Sequence, residues 1–248
     1  MITFMRVGVY GLGRFGSFWA QCLAEHHEVL GYSRNPERTA PSRVRRVNED
    51  EILTCEALFL CVSISAMEEV VGAIGDRVEN GTVVLDTCSV KVHPVDVMRR
   101  SLSQGVEIIG THPMFGPDSG KNGVRGLPLV FCPVRARPEV CDYWRDQFTR
   151  MGLCVHELSA ENHDREAAFT QGITHFMGRV LDDLDLGPSP IGTKGYEKLL
   201  EIIEQTCNDP YQLFVDLQRY NPFTEEMRER LTGSLQKMQA QLELHRIT

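Results

Sequence analysis

The chain lacks the features that mark several large classes of protein. Its longest run without Asp, Glu, Lys or Arg, Ala167–Gly178, is twelve residues, well short of the roughly 20 apolar residues that span a bilayer. Its eight cysteines (22, 55, 61, 88, 132, 141, 154 and 207) contain no Cys-x-x-Cys pair and mostly sit inside apolar runs. They read as reduced core thiols of a cytoplasmic protein, with no disulfide frame and no metal site. A basic surplus is missing too: 26 Lys and Arg against 34 Asp and Glu leave a net charge of −8, which argues against a general nucleic-acid binder. The first residues show no signal-peptide pattern, and no internal repeat or low-complexity segment is evident. What is present is ordinary globular composition, 42% hydrophobic and 24% charged over 248 residues, enough for one large or two modest domains.

The clearest motif stands near the N-terminus. Arg6–Tyr10 is a short apolar strand, Gly11-Leu-Gly-Arg-Phe-Gly16 follows directly, and Phe15–Glu25 carries apolar residues at helical spacing. Strand, G-x-G-x-x-G and helix in that order predict a dinucleotide site formed by Gly11, Leu12, Gly13, Arg14, Phe15 and Gly16, with the pyrophosphate at the helix N-terminus. An NAD site would end the next strand, Glu28–Ser33, in an acid for the ribose 2′-hydroxyl. Here that strand ends Ser33-Arg34-Asn35, so NADP is expected in preference to NAD, with Arg34 at the 2′-phosphate. Ser63, ending the strand Ala57–Ser63, is counted with the cofactor contacts. Arg43, Arg45 and Arg46 read as solvated surface.

Further buried strands are expected at Thr82–Asp86, Val106–Gly110, Pro128–Cys132 and Leu153–His156, with helices between most of them. This alternation predicts an α/β, Rossmann-type doubly wound parallel sheet over residues 1–158. Two of its strands end in polar groups, Ser89 after the first and His112 after the second, where open α/β sheets bind ligands. Pro113 holds His112 extended. A hydroxyl and an imidazole brought together without an acid or a metal suit taking a proton from an alcohol while another group takes the hydride.

From Ser159 no strand signal remains. Four helices are expected, Ala160–Leu184, Gly195–Cys207, Pro210–Tyr220 and Pro222–Leu244, making an all-helical domain over 159–248. On the first of them Asp164, Ala168, Gln171 and His175 fall at spacings of four, three and four, a polar stripe suited to lining a pocket. Four helices make a thin core, so a homodimer completed by a second copy's helices is expected.

Several separate stretches resemble one family, the prephenate/arogenate (cyclohexadienyl) dehydrogenases of tyrosine biosynthesis. They are Gly11–Gly16, Asp86-Thr-Cys-Ser-Val-Lys91, Thr111-His-Pro-Met-Phe-Gly-Pro-Asp-Ser-Gly120, Thr174-His175 and Thr193-Lys-Gly-Tyr-Glu197. The last is similar to the plant-type arogenate enzymes, and neither a chorismate mutase segment before these stretches nor a regulatory domain after them is expected. The resemblance implies an NADP-dependent oxidative decarboxylation of arogenate, or alternatively of prephenate or both. It further implies that His112 accepts the ring-hydroxyl proton, Ser89 orients it, His175 binds substrate and Lys194 stands near a carboxylate-binding position. Asp164 would pair with the ammonium that distinguishes arogenate. Another NADP-dependent reductase, or a sensor that binds NADP without turnover, would keep the glycine-rich turn but have no use for Ser89 with His112.

Overall fold

A computed structural model describes residues 5–245. The contacts divide the chain into two compact units, Met1–His163 and Asp164–Thr248.

The first unit is built on eight strands: β1 (Arg6–Tyr10), β2 (Glu28–Tyr32), β3 (Val44–Arg46), β4 (Ala57–Leu60), β5 (Val83–Asp86), β6 (Glu107–Pro113), β7 (Pro128–Arg135) and β8 (Cys154–Glu157). Their order in the sheet is β3-β2-β1-β4-β5-β6-β7-β8. Helices α1 (Arg14–Leu23), α2 (Glu49–Ile52), α3 (Met67–Ile74), α4 (Val92–Ser101) and α5 (Pro138–Arg150) connect them. The chain thus winds outward from β1 in one direction and then the other, the doubly wound arrangement.

The central strands are apolar without alternation because both sheet faces are covered. Phe59, Leu85 and Ile109 join Trp19 of α1 and Trp144 and Phe148 of α5 in one cluster, while Leu58, Leu60, Val84 and Ile108 are equally buried outside it. Phe59 meets the Trp144 ring edge-on at 5.2 Å, a geometry aromatic pairs favour.

Two departures from expectation have plain causes. Strand β7 runs antiparallel to β6, because residues 114–127 between them hold no helix to carry the chain back across the sheet. Strand β3 and helix α2 are additional. Arg45 and Arg46 are exposed on β3, which forms one edge of the sheet as β8 forms the other.

The second unit is helical, as expected, but its first helix is interrupted. Helix α6 (Ala160–Ala167), which begins in the first unit, gives way to a π turn over Ala168–Gly172 before α7 (Ile173–Asp183). Helices α8 (Lys194–Cys207), α9 (Tyr211–Tyr220) and α10 (Thr224–Leu244) follow. Helices α7 and α8 pack closely at Gly178, where a Cβ would lie 2.0 Å from Thr206 Oγ1.

Candidate active site

The glycine-rich turn is shaped by close backbone approaches. Gly11 has φ of +112°, and a Cβ there would lie 2.3 Å from the Cys61 carbonyl oxygen. A Cβ on Gly16 would lie 1.8 Å from the Gly11 carbonyl oxygen. Gly13 differs: nothing lies within 4 Å of its Cβ position, and it opens α1 as an extended residue without a side-chain cap. An uncapped helix start facing open space fits a dinucleotide pyrophosphate. Leu12 is buried and packs against Gly31 of β2, so it offers a ligand backbone only. Phe15 stacks on Trp19, and Arg14 is exposed and ion-paired with Asp118.

Because β2, β1 and β4 are adjacent and parallel, the ends carrying Arg34, Gly11–Gly16 and Ser63 share one rim. Arg34 is exposed and ion-paired with Glu69 of α3. Its loop is braced by Arg46, which donates to the carbonyls of Pro36 at 2.6 Å and Asn35 at 3.0 Å. Arg46 is therefore a support for the loop, beyond the solvated charge its sequence context suggests.

Strands β5 and β6 are also adjacent and parallel, which puts Ser89 and His112 beyond neighbouring positions in the sheet. His112 is 2% exposed. Its Nδ1 lies 2.9 Å from Nε2 of His163, equally buried at the start of α6. The Nδ1 side of the imidazole is thus held by His163. Ser159 accepts from the Asn162 amide at 3.1 Å, capping α6 and holding its first turn. Burial pushes the His112 pKa well below the usual 6.5, and the neighbouring His163 and Lys91 charges push it the same way. The ring is therefore a neutral acceptor at physiological pH.

Beneath it lies an ion pair between Lys91 and Asp86, both side chains fully buried. Lys91 Nζ also donates to the Thr111 carbonyl at 2.5 Å, Thr111 Oγ1 donates to the Asp86 carbonyl at 2.5 Å, and the Cys88 amide donates to Asp86 Oδ2 at 3.0 Å.

In the helical unit, His175 is buried with Nδ1 lacking a partner among the described residues, and the same holds for Oε1 of Gln171. Burial lowers the His175 pKa, Asp209 opposes the shift and Arg179 reinforces it. The two atoms, four residues apart, are both left with hydrogen-bonding capacity that a ligand can take up. Asp164 does not share it. Eleven α-helical residues would bring Asp164 and His175 within about 20° of one face, but the extra residue of the π turn sets them about 80° apart. Lys194 is also separate. Twelve residues of α8 put it about 18 Å along the axis from Thr206, whereas His175 lies one turn from Gly178, which touches Thr206.

Comparison with known proteins fits this geometry. Residues 20–145 match the family model "Prephenate dehydrogenase, nucleotide-binding domain", and residues 180–247 match "TYRAAT1-like, C-terminal domain". Arogenate dehydrogenase 2, chloroplastic, of Arabidopsis thaliana is 36% identical over 96% of this chain and 70% of its own length. The chain belongs to the prephenate/arogenate dehydrogenase family. A second Arabidopsis relative, arogenate dehydrogenase 1, chloroplastic, is 37% identical over 96% of this chain, which spans only 39% of that protein. The fold also matches the crystal structure of prephenate dehydrogenase from A. aeolicus, solved with hydroxyphenyl propionate and NAD+, with a TM-score of 0.75 at 16% identity over 98% of this chain and 93% of that one. The nucleotide-binding domain of the family indicates a nicotinamide cofactor, and the open Gly13 position leaves room for a pyrophosphate at the start of α1. Within this family frame the sequence reading missed His163, Lys91 and Arg46. The Lys91 motif was visible, but no spacing signals that residues 51 apart, His112 and His163, share a hydrogen bond.

Proposed function

We propose that the chain catalyses NADP-dependent oxidative decarboxylation of arogenate, with His112 as base. The observation that carries this reading is the buried, neutral His112 held through Nδ1 by His163. For Nε2 to accept a proton, Nδ1 must bear the hydrogen and donate it to His163 Nε2, and the 2.9 Å contact between the two rings accommodates that tautomer. The ring hydroxyl gives its proton to His112 Nε2, and its O–H electron pair becomes the second carbon–oxygen bond as hydride leaves the same carbon. The bound nicotinamide supplies the hydride acceptor. The bond to the ring carboxylate then breaks, releasing CO2; its electron pair completes the aromatic ring as the carbonyl π pair moves onto the ring oxygen, which takes back the proton from His112. Ser89, half-buried on the neighbouring strand end, is assigned to the same hydroxyl, and Gln171 and His175 to substrate binding.

Arogenate is favoured over prephenate by the names of the two Arabidopsis relatives and by the Lys194-Gly-Tyr-Glu197 stretch. NADP is favoured by Arg34, an exposed cation just beyond the end of β2, where an NAD site would have an acid. The placing of most of the eight cysteines inside apolar runs supports a reducing compartment such as the cytoplasm. A homodimer is supported by α10, whose Leu235, Met238 and Leu242 are half or more exposed and continue from Leu231 at spacings of four, three and four. A second copy of the same helix is the occupant we assign to that stripe.

The test is four assays crossing NAD or NADP with arogenate or prephenate, read by reduced-cofactor absorbance. Arogenate with NADP is expected to give the highest kcat/KM. His112→Asn is expected to keep NADP binding and lose about 10²–10⁴-fold in turnover; a variant retaining a tenth of wild-type turnover would remove His112 from the reaction.

A further inference from the structure

The stretch Asp86–Lys91 carries a buried ion pair that the reaction scheme does not use. Moving two charges into an interior costs more than their attraction returns unless further hydrogen bonds complete the arrangement. Here they do. The Lys91 ammonium touches the Asp86 carboxylate and the Thr111 carbonyl, and Asp86 also receives the Cys88 amide. The lysine thereby ties three pieces of backbone together: the end of β5, the turn that presents Ser89 and the peptide immediately before His112. Hydrophobic residues of similar volume would hold these strands together at less cost, but would fix neither turn nor peptide by hydrogen bonding.

We propose that Lys91 is a positioning residue for the reaction, fixing Ser89 and His112 relative to each other through the Asp86 carboxylate and the Thr111 carbonyl. The proposal rests on His112 being the base. Its charge adds a second effect. The charged groups that act on His112 are His163 from α6 and Lys91 at the start of α4. Lys91 is the permanent cation among them, and a cation beside an imidazole disfavours protonation of the ring. The sign is fixed: removing Lys91 raises the pH at which His112 takes up a proton, so the acid limb of the rate profile moves to higher pH.

Three variants test this, with wild type and His112→Asn run alongside. Lys91→Met strands the Asp86 carboxylate and is expected to fold poorly. The double variant Asp86→Asn with Lys91→Met removes both charges and is expected to fold with wild-type NADP affinity. In the double variant kcat/KM is expected to fall about 10²-fold, the loss that an ångström-scale misplacement produces, with its acid limb displaced upward. Lys91→Arg, which keeps the charge, should leave the acid limb in place. A folded double variant with wild-type kcat/KM and an unmoved acid limb would show the pair to be a staple only and overturn the proposal, as would failure of both neutral variants to fold. If instead wild type turns over neither substrate, or His112→Asn is as active as wild type, it is the assignment of the reaction that falls.

Discussion

Cofactor choice rests on single side chains. Arg34 meets Glu69 across the rim, and both are largely exposed, so that pair is worth at most about 1 kcal/mol. A 2′-phosphate offers Arg34 a stronger, charge-assisted bond of about 1.5–3 kcal/mol. Arg34→Ala is therefore expected to erase a roughly 10–150-fold preference for NADP over NAD, measured as the ratio of the two Kd values. Glu69→Gln removes the competitor and should tighten NADP by up to about fivefold while leaving NAD unchanged. An unaltered ratio in Arg34→Ala would shift 2′-phosphate recognition to another residue. Arg46 should behave differently from both, since its bonds go to the loop carbonyls of Asn35 and Pro36. Its loss loosens the loop and weakens both cofactors.

Elements differ in how far their residues announce them. The buried strands β1, β4 and β5 were legible because each is an unbroken apolar run closed by glycine or a polar cluster. Strand β3 was not, since three residues that include two arginines carry no such run. The direction of β7 was equally hidden, because an apolar run is the same read either way and only the helix-free stretch before it hinted at reversal. The π turn escaped for a related reason. The stripe Asp164, Ala168, Gln171, His175 assumed an uninterrupted 3.6-residue period, and the inserted residue rotated Asp164 off it. Asp164→Asn is accordingly expected to leave the arogenate-to-prephenate kcat/KM ratio within about twofold, since a group turned about 80° away cannot pair with the ligand that His175 meets. Of the site, Gly11–Gly16, Ser89 and His112 were legible as motif and strand ends. His163 depends on where α6 docks, which no local pattern records. Helix α10 makes its own prediction: Leu235→Glu with Leu242→Glu should convert a dimer into a monomer by light scattering at micromolar concentration. A monomeric wild type would remove the assigned partner.

Across the whole molecule, acid should be the weak side. His27, His112 and His175 are buried, and burial lowers the pKa of each from 6.5. The folded chain keeps them neutral, whereas the unfolded chain takes up protons below about pH 6.5. Stability is therefore fully present above that pH and declines as pH falls below it. Thermal midpoints should drop between pH 7 and pH 5.5. His27, whose two ring nitrogens both lack hydrogen-bond partners among the described residues, offers the cleanest check. His27→Leu should hold or raise the midpoint at pH 7 and make the acid decline shallower; an unchanged slope would mean that other groups carry the effect.

The two ends of the sheet bear on how copies of this chain meet. Strand β3 is three residues long with Arg45 and Arg46 exposed, and β8 is four residues long with His156 and Glu157 exposed. Short, charged borders are poor templates for strand addition from another copy. The molecule is thus guarded against growing into ribbons or fibrils from either margin.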